Sequence, residues 1–354
     1  MVRALLFLVL LSPIARAEDD DLVEAPVIES PSEAPVSSSS ANDNFRYRAY
    51  AFAEGRWRYS DTTRTSQFEG PYLEADATLD YKASDTLRLF FDGMANYSQY
   101  TNSGLFSLNQ VGVRVHAGEW VFAVGRERNR RSPGLFVSPS DPLHTNPTLA
   151  GPREIRTGEW IARVSHQAAL HSTDVFYVPF RTLTKEGFPN ESPRGEFWLR
   201  HFHKVGPIDL DLSGGRLDGK WRGGLSALGF LASVWKFYGE FGYREGDVWS
   251  ALLGAAFEGN DDFSVRTEFL YSSTASLTPV PLPRGWLWIV NVGFPEVADR
   301  FNFYLTGIQS LESSITVGLL RAEWLANNHN TFGTSFLLSP SRDIIWSADW
   351  RYSF

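Results

Sequence analysis

Residues 343–354, the last twelve of the chain, read DIIWSADWRYSF. Apolar and aromatic side chains occupy alternate positions from Ile344 to Phe354, and polar side chains occupy most of the positions between them. Ile345 is the one apolar residue in the polar series. Because successive side chains of a strand point to opposite faces, this segment is predicted to be a β-strand with one apolar and one polar face.

The composition restricts the classes of protein to which the chain can belong. Aromatic residues make up 14% of the 354 residues, and cysteine is absent. The absence of cysteine excludes disulfides, thiolate metal sites and cysteine nucleophiles. There is no glycine-rich phosphate loop, and no basic patch suited to nucleic acid. After the N-terminal segment no uninterrupted apolar run reaches about 18 residues, so a helical membrane protein is excluded.

The N-terminal residues predict export and a tail that does not fold. Residues 1–17, MVRALLFLVLLSPIARA, combine an early arginine, an apolar run and a small-x-small cleavage site, which is typical of a secretory signal peptide. Residues 18–43 contain eight acidic and no basic residues, so we expect a disordered acidic periplasmic tail. The folded domain is then 44–354, with 31 basic and 33 acidic residues.

The alternating pattern of the last strand recurs along the whole of 44–354. It predicts an all-β chain of about 18 strands, with 16 as the alternative. The connections after even-numbered strands are short, whereas the long segments 59–70, 127–157, 181–193 and 273–285 follow odd-numbered strands. Such alternation of short turns and longer loops is typical of outer-membrane barrels.

Two folds place a charged face opposite an apolar face on nearly every strand. A soluble sandwich turns the apolar face inward, and a membrane barrel turns it outward into lipid. Alanine and glycine are frequent on the apolar face, and aromatic residues gather near strand ends as an interfacial girdle requires. The other face carries charges of both signs, which suits a hydrated lumen. The sequence therefore predicts a transmembrane antiparallel up-and-down β-barrel.

The end of the chain resembles the C-terminal targeting signal of Gram-negative outer-membrane barrels, a last strand with alternating hydrophobic residues and a terminal phenylalanine. This resemblance implies location in the Gram-negative outer membrane and an assembly signal formed by Trp350, Tyr352 and Phe354. Its expected partners are periplasmic chaperones and the barrel-assembly machinery. Outer-membrane lipid and lipopolysaccharide would surround the barrel, and its oligomeric state is left open.

Arginines on the charged face are the candidates for a function in the lumen. Most charges are expected to pair across neighbouring strands and keep the wall hydrated, but the first strand carries four arginines that the acidic second strand neutralises only in part. The predicted channel-lining residues are Arg46, Arg48, Arg56, Arg88, Arg114, Arg163, Arg200 and Arg266.

The long loop 127–157 has an excess of arginine and five prolines, which oppose regular strand pairing. We predict that it folds into the lumen and narrows the channel, where guanidinium groups bind carboxylate or phosphate through paired hydrogen bonds. The predicted constriction residues are Arg128, Arg130, Arg131, Asp141, Arg153 and Arg156. The alternative is an extracellular loop that binds lipopolysaccharide phosphates or has no ligand.

A strand that ends in Gly125-Arg126 and a loop that contains SPSDPL at 138–143 together resemble the alginate-export proteins and other eighteen-stranded porins. The resemblance implies a basic constriction that selects anionic sugars or organic acids. The expected function is therefore a porin-like channel for passive diffusion of small anionic solutes, without a cofactor and without enzymatic activity.

Two other functions remain open at this stage. The first is an outer-membrane lipid or ester hydrolase, and the second is a plugged structural or adhesion barrel. His201 and His203 share a strand face, but it is the face assigned to lipid, and the sequence offers no evident third metal ligand. No catalytic residue and no metal site is therefore predicted.

Overall fold

The computed structural model describes residues 44–61, 63–99, 102–127, 133, 138–141, 158–179, 195–231, 234–258, 263–274, 284–298, 300–312, 316–338 and 343–354. The predicted signal peptide (1–17) and acidic tail (18–43) lie outside these ranges. Within them, no helix has the length and apolar character needed to cross a membrane.

Eighteen antiparallel strands form a single closed sheet in which each strand pairs with its neighbours in sequence. The strands are β1 (Phe45–Ser60), β2 (Thr65–Lys82), β3 (Leu87–Ser98), β4 (Ser103–Ala117), β5 (Trp120–Glu127), β6 (Glu159–Ala168), β7 (His171–Val178), β8 (Glu196–Val205), β9 (Ile208–Leu217), β10 (Lys220–Leu231), β11 (Trp235–Arg244), β12 (Val248–Glu258), β13 (Ser264–Ser272), β14 (Gly285–Val297), β15 (Phe301–Ser310), β16 (Thr316–Leu325), β17 (Asn330–Leu338) and β18 (Ile344–Ser353). Pairing of β1 with β18 closes the barrel, so the predicted fold and strand number are confirmed.

The barrel has two distinct rims. The turn rim holds the connections after even-numbered strands, such as 118–119 and 206–207, and the loop rim holds those after odd-numbered strands, including 128–158 and 179–195. This alternation was predicted, but the prediction of a long loop at 59–70 was wrong. There β1 and β2 continue as a hairpin, because Trp57 packs 4.8 Å from Phe68 and Arg58 forms an ion pair of 2.9 Å with Glu69.

The outer face is apolar along the height of the barrel. Val124, Trp221 and Leu253 are each more than 60% exposed, which is the arrangement of a surface that contacts lipid. Across the closing pair, Trp57 of β1 and Trp346 of β18 stack with their rings 4.5 Å apart. The apolar face is therefore on the outside, as the alternation predicts.

The inner face is only partly polar, whereas the sequence predicted a face with charges of both signs. Buried apolar side chains form two inward clusters that we call the inner apolar belt, and most lie close to the loop-rim ends of their strands. Its members are Ile161, Phe176, Val178, Trp198, Leu217, Tyr238, Leu252, Ala256, Leu270, Leu287, Ile289, Ile308, Val317, Leu319, Leu337 and Ile345. Ile345, the exception in the last strand, faces inward because it belongs to this belt.

Candidate functional site: the barrel interior

The predicted channel-lining arginines lie on the inward-facing positions of their strands, and five of them are ion-paired with carboxylates. The nitrogen–oxygen distances are 3.7 Å for Arg56–Glu69, 2.8 Å for Arg88–Asp80, 2.6 Å for Arg114–Glu127, 2.8 Å for Arg163–Glu127 and 2.6 Å for Arg200–Asp141. The positive charge of these side chains is therefore largely balanced inside the barrel.

The other three predicted channel-lining arginines are Arg46, Arg48 and Arg266, which lie near the turn rim, as Arg88 and Arg114 do. Arg46 and Arg48 are exposed near the start of β1, where they face Asp80 and Thr78 across the sheet. Arg266 lies on β13 and is half-buried. Arg46 and Arg48 thus place positive charges that solvent can reach at the turn-rim end of the inner face.

One buried carboxylate connects neighbouring strands of the barrel wall at the point where the longest loop begins. Glu127, at the end of β5, is 1% exposed and accepts hydrogen bonds from Arg114 Nε (2.6 Å) and Arg163 Nη2 (2.8 Å). Arg163 also donates to Ser165, whose hydroxyl lies 2.5 Å from an oxygen of Asp174. The network spans β4 to β7 and leaves each charge with an opposite partner.

Residues 138–141, which we call the anchored segment, lie inside the barrel against the inner wall. Glu240 of β11 accepts hydrogen bonds from the hydroxyls of Ser138 (3.0 Å) and Ser140 (2.9 Å) and from the Ser140 amide (3.3 Å). Arg200 of β8 donates to Asp141 at 2.6 Å, and Ser213 of β9 donates to the Ser140 carbonyl at 2.9 Å. Three strands therefore hold a short piece of the longest loop.

Two glycines provide the space for the anchored segment. A Cβ atom at Gly242 of β11 would overlap the carbonyl oxygen of Pro139, and one at Gly224 of β10 would overlap that of Ser140. The backbone of the segment therefore lies directly on the backbone of the wall, which only residues without a side chain permit.

Of the predicted constriction residues, only Asp141 falls within the described part of the chain. Arg128, Arg130, Arg131, Arg153 and Arg156 lie outside the described residues. Arg126, just before them, is fully buried and donates from Nε to the Gly158 carbonyl at 2.8 Å. Among the described residues, its two terminal nitrogens have no hydrogen-bond partner. It therefore carries a buried positive charge at the base of the loop.

The sequence analysis missed Arg321, the centre of a second buried network. Its Nη1 lies 2.9 Å from Asp349 of β18, and its Nε lies 2.8 Å from Glu323. The signal was weak because Val317 and Leu319 share the inward positions of β16, so the charged face is half apolar. Strict alternation along β16 places Arg321 and Glu323 on the same inward face and would have predicted that they lie side by side.

The proposed assembly residues lie on the outer face at the turn rim. Phe354 is 67% exposed, and its amide donates to the Ala49 carbonyl at 2.9 Å. Trp350 is also exposed and donates through its ring nitrogen to Asn330 at 3.0 Å. Tyr352 lies between them, with its ring 4.7 Å from that of Phe354. The three aromatic rings form a continuous strip on the last strand.

Comparison of the fold with solved structures identifies similar barrels. OccAB4 of Acinetobacter baumannii has a TM-score of 0.59 and 9% sequence identity, with 89% of this chain and 100% of that chain covered. A triple mutant and a double mutant of Rh. blastica porin have TM-scores of 0.52 and 0.51, each at 9% identity over 88% of this chain and 100% of that chain. The chain has the porin fold.

The porin fold is reached here without detectable sequence similarity. The chain matches none of the known families with which it was compared, and no curated protein is similar to it in sequence. At about a tenth of positions identical, the similarity concerns the barrel alone.

Proposed function

We propose that the protein is a channel of the Gram-negative outer membrane through which small hydrophilic solutes diffuse. The observation that carries this proposal is the anchored segment, a piece of the longest loop bound to the inner wall through Arg200 and Glu240. A loop segment held inside the barrel narrows the lumen, and its neighbouring charges act on solutes at short range. The porin fold favours a channel over an enzyme.

Anions are the preferred solutes in this proposal, with organic acids and acidic sugars as the chemical class. Arg46 and Arg48 are exposed at the turn-rim end of the inner face. Guanidinium groups bind carboxylates in a planar, paired geometry, which favours this class over halide-sized ions alone.

The surroundings of the barrel follow from its outer face. We propose that the apolar outer face contacts outer-membrane lipid and lipopolysaccharide, and that the barrel-assembly machinery and periplasmic chaperones recognise the strip of Trp350, Tyr352 and Phe354. Exposed aromatic residues at a rim suit both the membrane interface and recognition by a partner before insertion.

A second candidate is a barrel that is closed to solutes. The inner apolar belt favours it, because side chains such as Leu270 and Trp198 are about 1% exposed although they face the lumen. Apolar residues packed inside a barrel exclude water from that level of the lumen.

Single-channel conductance of the refolded protein in planar bilayers, with reversal potentials in a salt gradient, tests both candidates. We expect steady open channels that prefer chloride to potassium, with a preference that falls in Arg130→Glu/Arg131→Glu. The matched control is Arg64→Glu/Arg216→Glu, which makes the same charge change at an exposed hairpin tip and on the outer face.

Each result decides one part of the proposal. Cation preference in the unmodified protein would contradict the anionic solutes, and an equal change in both variants would place the selectivity outside the long loop. Steady absence of conductance would support the closed barrel. In liposome swelling, faster entry of glucuronate than of glucose would support acidic sugars as solutes.

A further inference from the structure

Four histidines from three neighbouring strands come together on the outer face near the turn rim. His166 lies on β6, His171 begins β7, and His201 and His203 lie on β8. Their strand neighbours of the other parity, such as Arg200, face inward, so the imidazoles point outward. Chain separation hid this arrangement, because only His201 and His203 are close in sequence.

The register places His171 and His203 in the type of cross-strand pair in which the two side chains lie closest together. They are directly opposite each other in the β7–β8 ladder. The Lys204 amide donates a hydrogen bond to the Leu170 carbonyl at 2.8 Å. The adjacent pair, Leu170 and Lys204, is therefore the hydrogen-bonded one. His171 and His203 are therefore a non-hydrogen-bonded pair, in which side chains approach each other most closely.

Three of the imidazoles form a nearly equilateral triangle. The ring centroids are 6.2 Å apart for His171 and His201, 6.4 Å for His171 and His203, and 6.2 Å for His201 and His203. Three imidazoles on one tetrahedral zinc ion, with zinc–nitrogen bonds of about 2 Å, have centroids roughly 5–5.5 Å apart. To bind one ion, the rings must approach one another by about an ångström. They must also turn about their side-chain torsions from the present interplanar angles of 34°, 32° and 14°, so that one nitrogen of each faces the ion.

The described side chains do not yet converge as a metal site requires, since no group of three His, Cys, Asp or Glu among them could hold an ion as placed. One ligand is already oriented, however. The Nδ1 atom of His201 lies 2.9 Å from the hydroxyl of Thr173, which leaves Nε2 to bind. Such a hydrogen bond to the second ring nitrogen is what fixes histidine ligands in metal sites.

We propose that His171, His201 and His203 bind a divalent transition-metal ion, of the class of zinc, nickel or copper, on the outer surface of the barrel at the turn rim. Neutral imidazole nitrogen suits these ions, whereas calcium and magnesium prefer oxygen. His166 contacts the same cluster, with its ring 5.9 Å from that of His171, but its Nε2 is 3.1 Å from a Glu119 oxygen. Water completes the coordination. The site is independent of the proposed channel.

Cobalt binding to the tag-free, refolded full chain in detergent tests the site, because the visible spectrum of cobalt reports its coordination. We expect a saturable spectrum at neutral pH that zinc abolishes by competition. His203→Ala and His171→Ala should abolish binding. Thr173→Val should weaken it about 10–100-fold, as the loss of an orienting hydrogen bond does.

His116→Ala/His329→Ala is the matched control, since it removes two imidazoles located elsewhere near the turn rim. It should bind cobalt as the unmodified protein does. The proposal is overturned if the unmodified protein gives no saturable spectrum, if His203→Ala binds normally, or if the control loses binding equally. Because Thr173→Val keeps every imidazole, its weakened binding separates a metal site from a general effect of mutation on folding.

Discussion

At the scale of single residues, the interior depends on two glycines and one carboxylate. Gly242 and Gly224 let the backbone of the anchored segment lie on the wall, and Glu240 accepts three hydrogen bonds from Ser138 and Ser140. A buried acceptor with three donors gives the segment one defined position, since each lost bond would leave a buried polar group without a partner.

Gly242→Ala should release the anchored segment, because the new Cβ overlaps the Pro139 carbonyl. The chain has no cysteine, so Pro139→Cys supplies a unique thiol at a buried position. We expect this thiol to resist maleimide in the otherwise unmodified chain and to react at least about tenfold faster when Gly242→Ala opens the contact, as local opening exposes buried groups.

Gly223→Ala is the control for this prediction. Its Cβ would lie 3.7 Å from the nearest atom, the Ser213 carbonyl oxygen, which is ordinary contact. Equal reaction rates in the two alanine variants would show that the segment does not depend on the space at Gly242.

At the scale of strands, neighbouring elements are joined by shared carboxylates as well as by the backbone ladder. Glu127 connects β5 to Arg114 of β4 and Arg163 of β6, and Asp349 connects β18 to Arg321 of β16. A carboxylate shared by buried arginines is costly to remove, because the remaining charges have no compensation in a medium of low dielectric constant.

Glu127→Gln should lower the free energy of unfolding by about 3–5 kcal/mol, the usual cost of breaking a buried ion pair. Glu119→Gln, which removes the exposed partner of His166, should cost at most about 1 kcal/mol. Denaturant unfolding in detergent micelles, followed by tryptophan fluorescence, measures both. Similar values for the two variants would mean that water screens the Glu127 network.

At the scale of the whole molecule, the barrel wall is apolar on both faces near the loop rim along β6–β9 and β13–β18, whereas β1 and β2 carry the Arg58–Glu69 ion pair there. The outer side chains are apolar and exposed, and the inner apolar belt runs from β6 to β9 and from β11 to β18. Toward the turn rim the inner face is more polar, with Arg46, Arg48 and Asp80. The inner face is therefore not uniform: the apolar side chains of the belt lie mostly near the loop rim, and exposed charged side chains lie at the turn rim.

Leu270→Ala should lower the free energy of unfolding by about 2–5 kcal/mol if the inner apolar belt is tightly packed, because the deletion leaves a cavity. The matched control is Leu253→Ala on β12, where the side chain is 63% exposed on the outer face and mobile lipid or detergent fills the space. A loss for Leu270→Ala no greater than for Leu253→Ala would show that water already fills the lumen at this level.

The sequence by itself determined the barrel, because alternation with a period of two states for every residue whether it faces lipid or lumen. The spacing of turns then predicted about 18 strands, with 16 as the alternative, and the rim at which each connection lies. Both follow from local geometry, which each strand expresses independently of its partners. The errors arose where the local pattern was mixed, as at 59–70 and in the apolar inward positions of β16.

Only the tertiary structure decided which residues meet. Arg200 pairs with Asp141, Ser140 with Glu240 and His171 with His203, and each pair is far apart in the chain. Alternation predicts the face of a residue but not its neighbour, since the neighbour depends on the register between strands and on the path of a loop. For that reason the arginines could be placed in the lumen from the sequence, whereas their neutralisation by carboxylates and the triangle of histidines could not.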